Sequence, residues 1–99
     1  MKYSLAFLDI ALLDLANIKA YLTLHSERAW PKLLETMEKH VGHLRDFPNM
    51  GERYKHYRRL VCGDYSIFYS VDDEKALVEI YRILHKSQDV RRHLEEDIN

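Results

Sequence analysis

The most constraining stretch of this 99-residue chain is Tyr65–Val71, which reads YSIFYSV. Tyr65, Ile67, Tyr69 and Val71 fall on one side and Ser66, Phe68 and Ser70 on the other, the two-residue period of a pleated strand. Short polar or glycine-containing connectors flank it, Cys62-Gly63-Asp64 before and Asp72-Asp73-Glu74-Lys75 after. Such connectors between β-rich runs announce hairpins. The run that follows, Leu77–Leu84, is apolar on both faces apart from Glu79 and Arg82, which suits a central strand. The run that precedes it is different, because Arg53, Lys55, Arg58 and Arg59 crowd around Tyr54, His56 and Tyr57. That is too polar for a buried strand and predicts an edge or the wall of an open groove. Together the three runs predict an antiparallel meander.

Upstream, Tyr3, Leu5 and Phe7 alternate as a first strand, and Asp9 is expected to cap a helix. From Ile10 to Leu24 the chain is almost wholly apolar, with Ala11, Leu15, Ile18 and Leu22 as one stripe, so this helix is expected to be largely buried. His25–Ala29 connects it to an amphipathic helix carrying Trp30, Leu33, Leu34, Met37, Val41 and Leu44. Pro31 belongs near its start and Pro48 beyond its end, in the helix-incompatible segment Phe47-Pro48-Asn49-Met50-Gly51. Ser87–Glu96 reads as a short helix or tail anchored by Val90 and Leu94. The expected architecture is α+β in one domain over 1–99: an N-terminal strand, an antiparallel helical hairpin, a three-stranded antiparallel meander and a short C-terminal helix. Leu15, Ile18, Leu33, Met37, Val41, Ile67, Tyr69 and Ile80 are the expected core. The helices are expected on one sheet face only, leaving the other as a groove with Phe68 and the Tyr57–Arg59 strand along its rim.

Composition narrows the function. The apolar share of 46% comes with 31% charged residues, and no apolar run approaches the roughly 18 residues of a membrane span. One cysteine, Cys62, forms no internal disulfide and fits a reducing cytoplasm. The net charge of −1 argues against a protein that grips nucleic acid along its whole surface, so the positive charge is local. There is no glycine-rich phosphate loop, Gly-x-Ser-x-Gly or His-Glu-x-x-His. His40 and His43 are three apart, but no third ligand accompanies them, so neither a metal nor a cofactor is expected.

The local charge admits two readings. Arg53–Arg59 with its tyrosines can hold phosphates and stack bases, or hold a carboxylate-rich partner; equally, it can be a charged edge strand that prevents sheets from pairing. Arg82, in an apolar strand, requires a counter-charge. Glu79 lies on the opposite face of a regular strand, so neighbouring strands are expected to supply the partner. His85 follows the last strand, where a histidine can serve as a general base or hold a structural hydrogen bond.

Five segments carry a resemblance to a known family. They are Asp14-Leu15-x-x-Ile18-x-x-Tyr21-Leu22, Phe47-Pro48-x-x-Gly51, Arg58-Arg59-Leu60, Asp64-Tyr65-x-Ile67-x-Tyr69-x-Val71, and Arg82-Ile83-Leu84-His85-x-x-Gln88-Asp89. In this order they resemble the RelE/ParE superfamily of bacterial type II toxins, and the likeness covers nearly the whole chain. RelE-like members cut messenger RNA on the ribosome with basic residues. Here Ser66 and Ser87 stand at two of those basic positions, and losing one oriented cation costs a barrier about 3 kcal/mol or more. A ribonuclease would have to use Arg59, Arg82 and His85, so enzymatic activity is not the expected reading. ParE-like members are more similar, which implies poisoning of DNA gyrase by binding and neutralisation by a ParD- or RelB-like antitoxin. A homologue that only binds antitoxin fits the same residues. The expected partner-binding set is Tyr54, Lys55, Tyr57, Arg58, Arg59, Phe68, Arg82, Val90, Arg91 and Leu94.

Overall fold

The computed structural model describes residues 2–98, with side chains through Leu94; Met1 and Asn99 of the expected 1–99 unit lie outside the described residues. The chain is α+β, as its sequence predicts. Strand β1 (Ser4–Phe7) leads into helices α1 (Asp9–His25) and α2 (Ala29–His43). Strands β2 (Glu52–Tyr54), β3 (Tyr57–Cys62), β4 (Tyr65–Asp72) and β5 (Leu77–His85) follow, then helix α3 (Val90–Ile98). They build one five-stranded sheet in the order β1-β5-β4-β3-β2. β1 pairs parallel with β5, placing β5 one strand in from the edge, while the β2–β5 pairings are antiparallel.

Several local expectations change. The basic run is not one strand but a hairpin that turns at Lys55-His56, with Tyr54 opposite Tyr57 and Lys55 in the left-handed region at φ 54°. The meander thus has four strands, and the short, charged β2 forms its edge, where it discourages further pairing. Cys62 ends β3 rather than opening a loop and is fully buried, which raises its thiol pKa. Asp9 is the first helical residue, not the cap; Leu8 occupies the cap position with no side-chain bond. The Asp9 carboxylate instead faces the positive end of the helix dipole. Pro31 is the third residue of α2, where the absent N–H would have had no intrahelical acceptor.

The core on the hairpin face joins Ala11, Met37, Val41 and Leu44 to Leu60, Ile67, Tyr69, Val78, Ile80 and Ile83. Leu15, Ile18 and Leu33 pack partly buried against it, so the whole expected core is present. A bulge sets which β5 residues face it: Phe68 pairs with Arg82 but Tyr69 pairs with Ile80, leaving Tyr81 as the extra residue. The opposite face is not open. Leu94 and Val90 of α3 pack there with Tyr57, Phe68, Leu84, Tyr54 and Tyr81. Phe68 therefore lies fully buried beneath α3 instead of on a groove rim, and helices cover both sheet faces. A few large side chains suffice, since each fully buried one contributes about 1.5–3 kcal/mol.

Tyr69 ties the loop after α2 to the sheet. Its hydroxyl donates to the Pro48 carbonyl at 2.7 Å and accepts the Gly51 N–H at 3.0 Å. A Cβ on Gly51 would sit 2.8 Å from that hydroxyl and 2.9 Å from the Arg59 carbonyl oxygen, so only glycine fits. Arg58 closes the same junction by donating to the Gly51 carbonyl at 2.9 Å and the Asn49 carbonyl at 3.3 Å. Tyr69→Phe leaves a buried N–H and a carbonyl without their partner and is expected to cost about 1–3 kcal/mol in urea unfolding. Burial raises the Tyr69 pKa above its ordinary 10.0. Its contribution is thus complete below pH 10 and is lost only as pH rises through the higher folded value, a dependence absent from Tyr69→Phe.

Candidate partner-binding surface

The expected binding residues separate into an internal and an external group. Arg82 is internal. Its Nε donates to Asp14 Oδ2 at 2.9 Å and its Nη2 to Asp14 Oδ1 at 3.1 Å, a two-point pair with both side chains about nine-tenths buried. Asp14 Oδ2 also accepts the Ile83 N–H at 2.9 Å, on the part of β5 beyond the reach of β1, and Arg82 Nη1 reaches the His93 carbonyl of α3 at 3.3 Å. The counter-charge that Arg82 requires thus comes from helix α1, not from Glu79 or a neighbouring strand. In the sequence Asp14 is an acid within an otherwise apolar stretch of the helix, with nothing local to mark Arg82 as its partner.

Tyr57, Phe68 and Leu94 are internal too, and Val90 is partly so; they pack α3 on the sheet. Tyr57 meets Tyr81 edge-on at 4.9 Å, and Tyr54 meets Phe68 at 5.6 Å. Lys55 and Arg91 are exposed, whereas Arg58 and Arg59 are half-buried on opposite faces of β3. Arg59 Nε donates to Ser66 Oγ at 3.0 Å, and its Nη1 lies 3.9 Å from Glu52.

His85 is held locally. Its Nδ1 accepts the Ser87 N–H at 3.1 Å and lies 2.7 Å from Ser87 Oγ, so in the neutral ring the proton belongs on Nε2. The His85 N–H donates to Gln88 Oε1 at 2.8 Å, and Asp89 Oδ1 accepts the Arg92 N–H at 3.3 Å as the cap of α3. Tyr21, Asn17, Tyr65 and His85 line a cavity of about 380 Å³ beside this turn. Among the described residues, no group of three His, Cys, Asp or Glu side chains is arranged to hold a metal.

Helix α1, expected to be largely buried, presents an apolar side to solvent. In α1 only Ala11 is fully buried, while Ile10, Leu12, Leu13, Tyr21 and Leu24 are exposed, Leu24 at 83%. Ile10, Leu13, Tyr21 and Leu24 recur at helical spacing and form one outward apolar stripe. A helix that is apolar all round needs cover on both sides, and this chain covers only the sheet side. The mostly apolar run Ile10–Leu24 was the sequence sign that α1 carries apolar residues on its outer side as well.

A five-stranded mixed sheet with a long helical hairpin on one face also occurs in solved structures similar to this chain. The RelBE2 toxin–antitoxin complex of Mycobacterium tuberculosis aligns at 24% identity over 86% of this chain and 99% of that one, with a TM-score of 0.62. The chromosomal ParDE system of P. aeruginosa aligns at 22% over 85% and 96%, with 0.68, and an E. coli RelE variant in the free state at 21% over 100% of both, with 0.64. The chain has the RelE/ParE toxin fold. The family model described as the ParE toxin of the type II toxin–antitoxin system parDE matches residues 5–90, and the chain belongs to that family. No curated protein matches the sequence.

Removing the acid at position 14 tests the buried pair. Asp14→Ala leaves Arg82 and the Ile83 N–H without their acceptor and is expected to cost about 3–5 kcal/mol in urea unfolding. Asp14→Asn retains a neutral acceptor and is expected to lose less.

Proposed function

We propose that this chain is a growth-arresting toxin that acts on DNA gyrase by binding rather than by cutting RNA, and that a cognate antitoxin neutralises it. The observation that carries this reading is how its cations are used. A ribonuclease must direct several cations at one phosphate in the transition state. Here Arg82 is committed to Asp14, Arg59 is held by Ser66, and the Ser87 position presents a hydroxyl to His85. Toxicity then rests on contact surfaces. The exposed apolar stripe of α1 is read as a protein contact.

The antitoxin is assigned to that stripe. An extended or helical segment with apolar residues at helical spacing would cover Leu13, Tyr21 and Leu24, and its binding would stabilise the folded toxin by mass action. Solved relatives of this fold include toxin–antitoxin complexes, which supports a partner of this kind.

Two measurements separate this reading from its rival. Purified chain at saturation is expected to inhibit supercoiling by gyrase; unimpaired supercoiling would remove the gyrase assignment. Codon-specific cleavage in a primer-extension assay, abolished by His85→Ala, would make the chain a histidine-based ribonuclease instead. Leu13→Arg and Leu24→Arg, both at exposed positions, are expected to weaken antitoxin binding at least tenfold with melting temperature nearly unchanged. Unaltered affinity would move the antitoxin off α1.

A further inference from the structure

The β2–β3 ladder treats its two faces differently. On the α3 face, Glu52 stands directly opposite Arg59, a favourable pairing of opposite charges. On the hairpin face, the next pair is Arg53 opposite Arg58, two like charges at directly facing positions. Such a pair destabilises an antiparallel ladder. Among the described residues neither arginine has a carboxylate partner: Arg58 donates only to the carbonyls of Asn49 and Gly51, and Arg53 points from the exposed edge strand with no side-chain bond. A polar cavity of about 290 Å³ opens there, walled by Asn49, Arg53, His56, Arg58, Ser70 and Asp73. Asp73, on the cavity wall, forms no ion pair with either arginine; its Oδ1 accepts the Tyr3 hydroxyl at 2.7 Å.

We propose that Arg53 and Arg58, with His56 at the turn, form a receptor for one carboxylate side chain of a protein partner; on the reading above, that carboxylate belongs to the antitoxin's docking segment. The partner's oxygens bridge the two guanidinium groups and remove the repulsion that the free chain carries, and Asn49 and Ser70 offer further polar contacts at the cavity wall. Charge selects the class of ligand. The register that sets Arg58 opposite Tyr69 brings the acidic β4–β5 connector, Asp72-Asp73-Glu74, to the same end of the sheet as the Lys55-His56 turn. A nucleic-acid strand, charged at every residue, would run along that acidic connector, whereas a single carboxylate in a mixed segment does not. The site lies on the face of β3 opposite Arg59, so it is separate from the cation a ribonuclease would use.

Arg53 is the residue to vary, since Arg58 also clamps the loop after α2. Binding of antitoxin to wild type, Arg53→Gln and Arg53→Glu is measured by calorimetry, followed by a scan that changes each antitoxin carboxylate to lysine. Arg53→Glu is expected to weaken binding at least tenfold and Arg53→Gln less, with one antitoxin Lys variant restoring affinity to Arg53→Glu alone. Unchanged affinity for Arg53→Glu, or a loss that no charge reversal restores, would overturn the site while leaving the antitoxin assignment intact. Should wild type bind no antitoxin, that assignment fails by itself, and the receptor is read from NMR titration of the free chain with sodium acetate against sodium chloride at equal ionic strength. Saturable acetate shifts of the Arg53 and Arg58 side-chain N–H signals, lost in Arg53→Gln, then support it. Equal responses to acetate and chloride overturn it, as does tighter loading by a single-stranded oligonucleotide at Arg53 than by acetate.

Discussion

The buried pair of Asp14 and Arg82 ties helix α1 to strand β5 and reaches helix α3. One carboxylate takes both donors of a guanidinium and the backbone N–H of Ile83, and the same guanidinium reaches the carbonyl of His93. Helix α1, the uncovered end of β5 and helix α3 are thereby referenced to one point. Such a pair contributes little net stability over an apolar replacement, because desolvating both charges offsets much of their attraction. It does fix geometry: an apolar substitute would tolerate sliding of α1 along the sheet, whereas a two-point charged contact tolerates very little.

Seen from that contact, the residues that give the family its sequence signature are chiefly structural in this chain. The Tyr69 hydroxyl accepts the Gly51 N–H and donates to the Pro48 carbonyl, Arg58 braces their loop, Asp14 holds Arg82, Gln88 holds the His85 N–H and Asp89 caps α3. A signature made of junctions identifies the fold and leaves the target of the toxin to surfaces that the signature does not include. Ile10, Leu13 and Leu24 of the α1 stripe and Arg53 of β2 lie outside that signature. The stripe and the facing arginines are each locally unfavourable in the free chain, one by exposing apolar area and the other by opposing like charges.

Covering the second sheet face changes the role of the C-terminal segment. Leu94 is buried and Val90 partly so, while Arg91 and Arg92 are exposed. Shortening the chain before α3 would uncover Tyr57, Phe68 and Leu84 together with the end of the buried pair. The helix therefore belongs to the folded unit, and a truncated chain would report on folding before it reported on any partner.

The strand pattern of Tyr65–Val71, the helical hairpin, the break at Pro48–Gly51 and the eight expected core residues were legible in the sequence. Each follows from periodicity or backbone chemistry within a single element, which local order expresses directly. Only the tertiary structure decided what depends on distant residues meeting. The partner of Arg82 lies 68 positions away, on helix α1. The bulge opposite Phe68 and Tyr69 determines which β5 side chains face the hairpin, and nothing local to Leu77–Leu84 marks its position. Phe68 and Leu94 are apolar whether they line a groove or close one; α3 settles that by folding back. Arg53 and Arg58 became a facing pair only through the register of the β2–β3 hairpin, because charge along a sequence says nothing about which residues stand opposite until a turn sets the pairing.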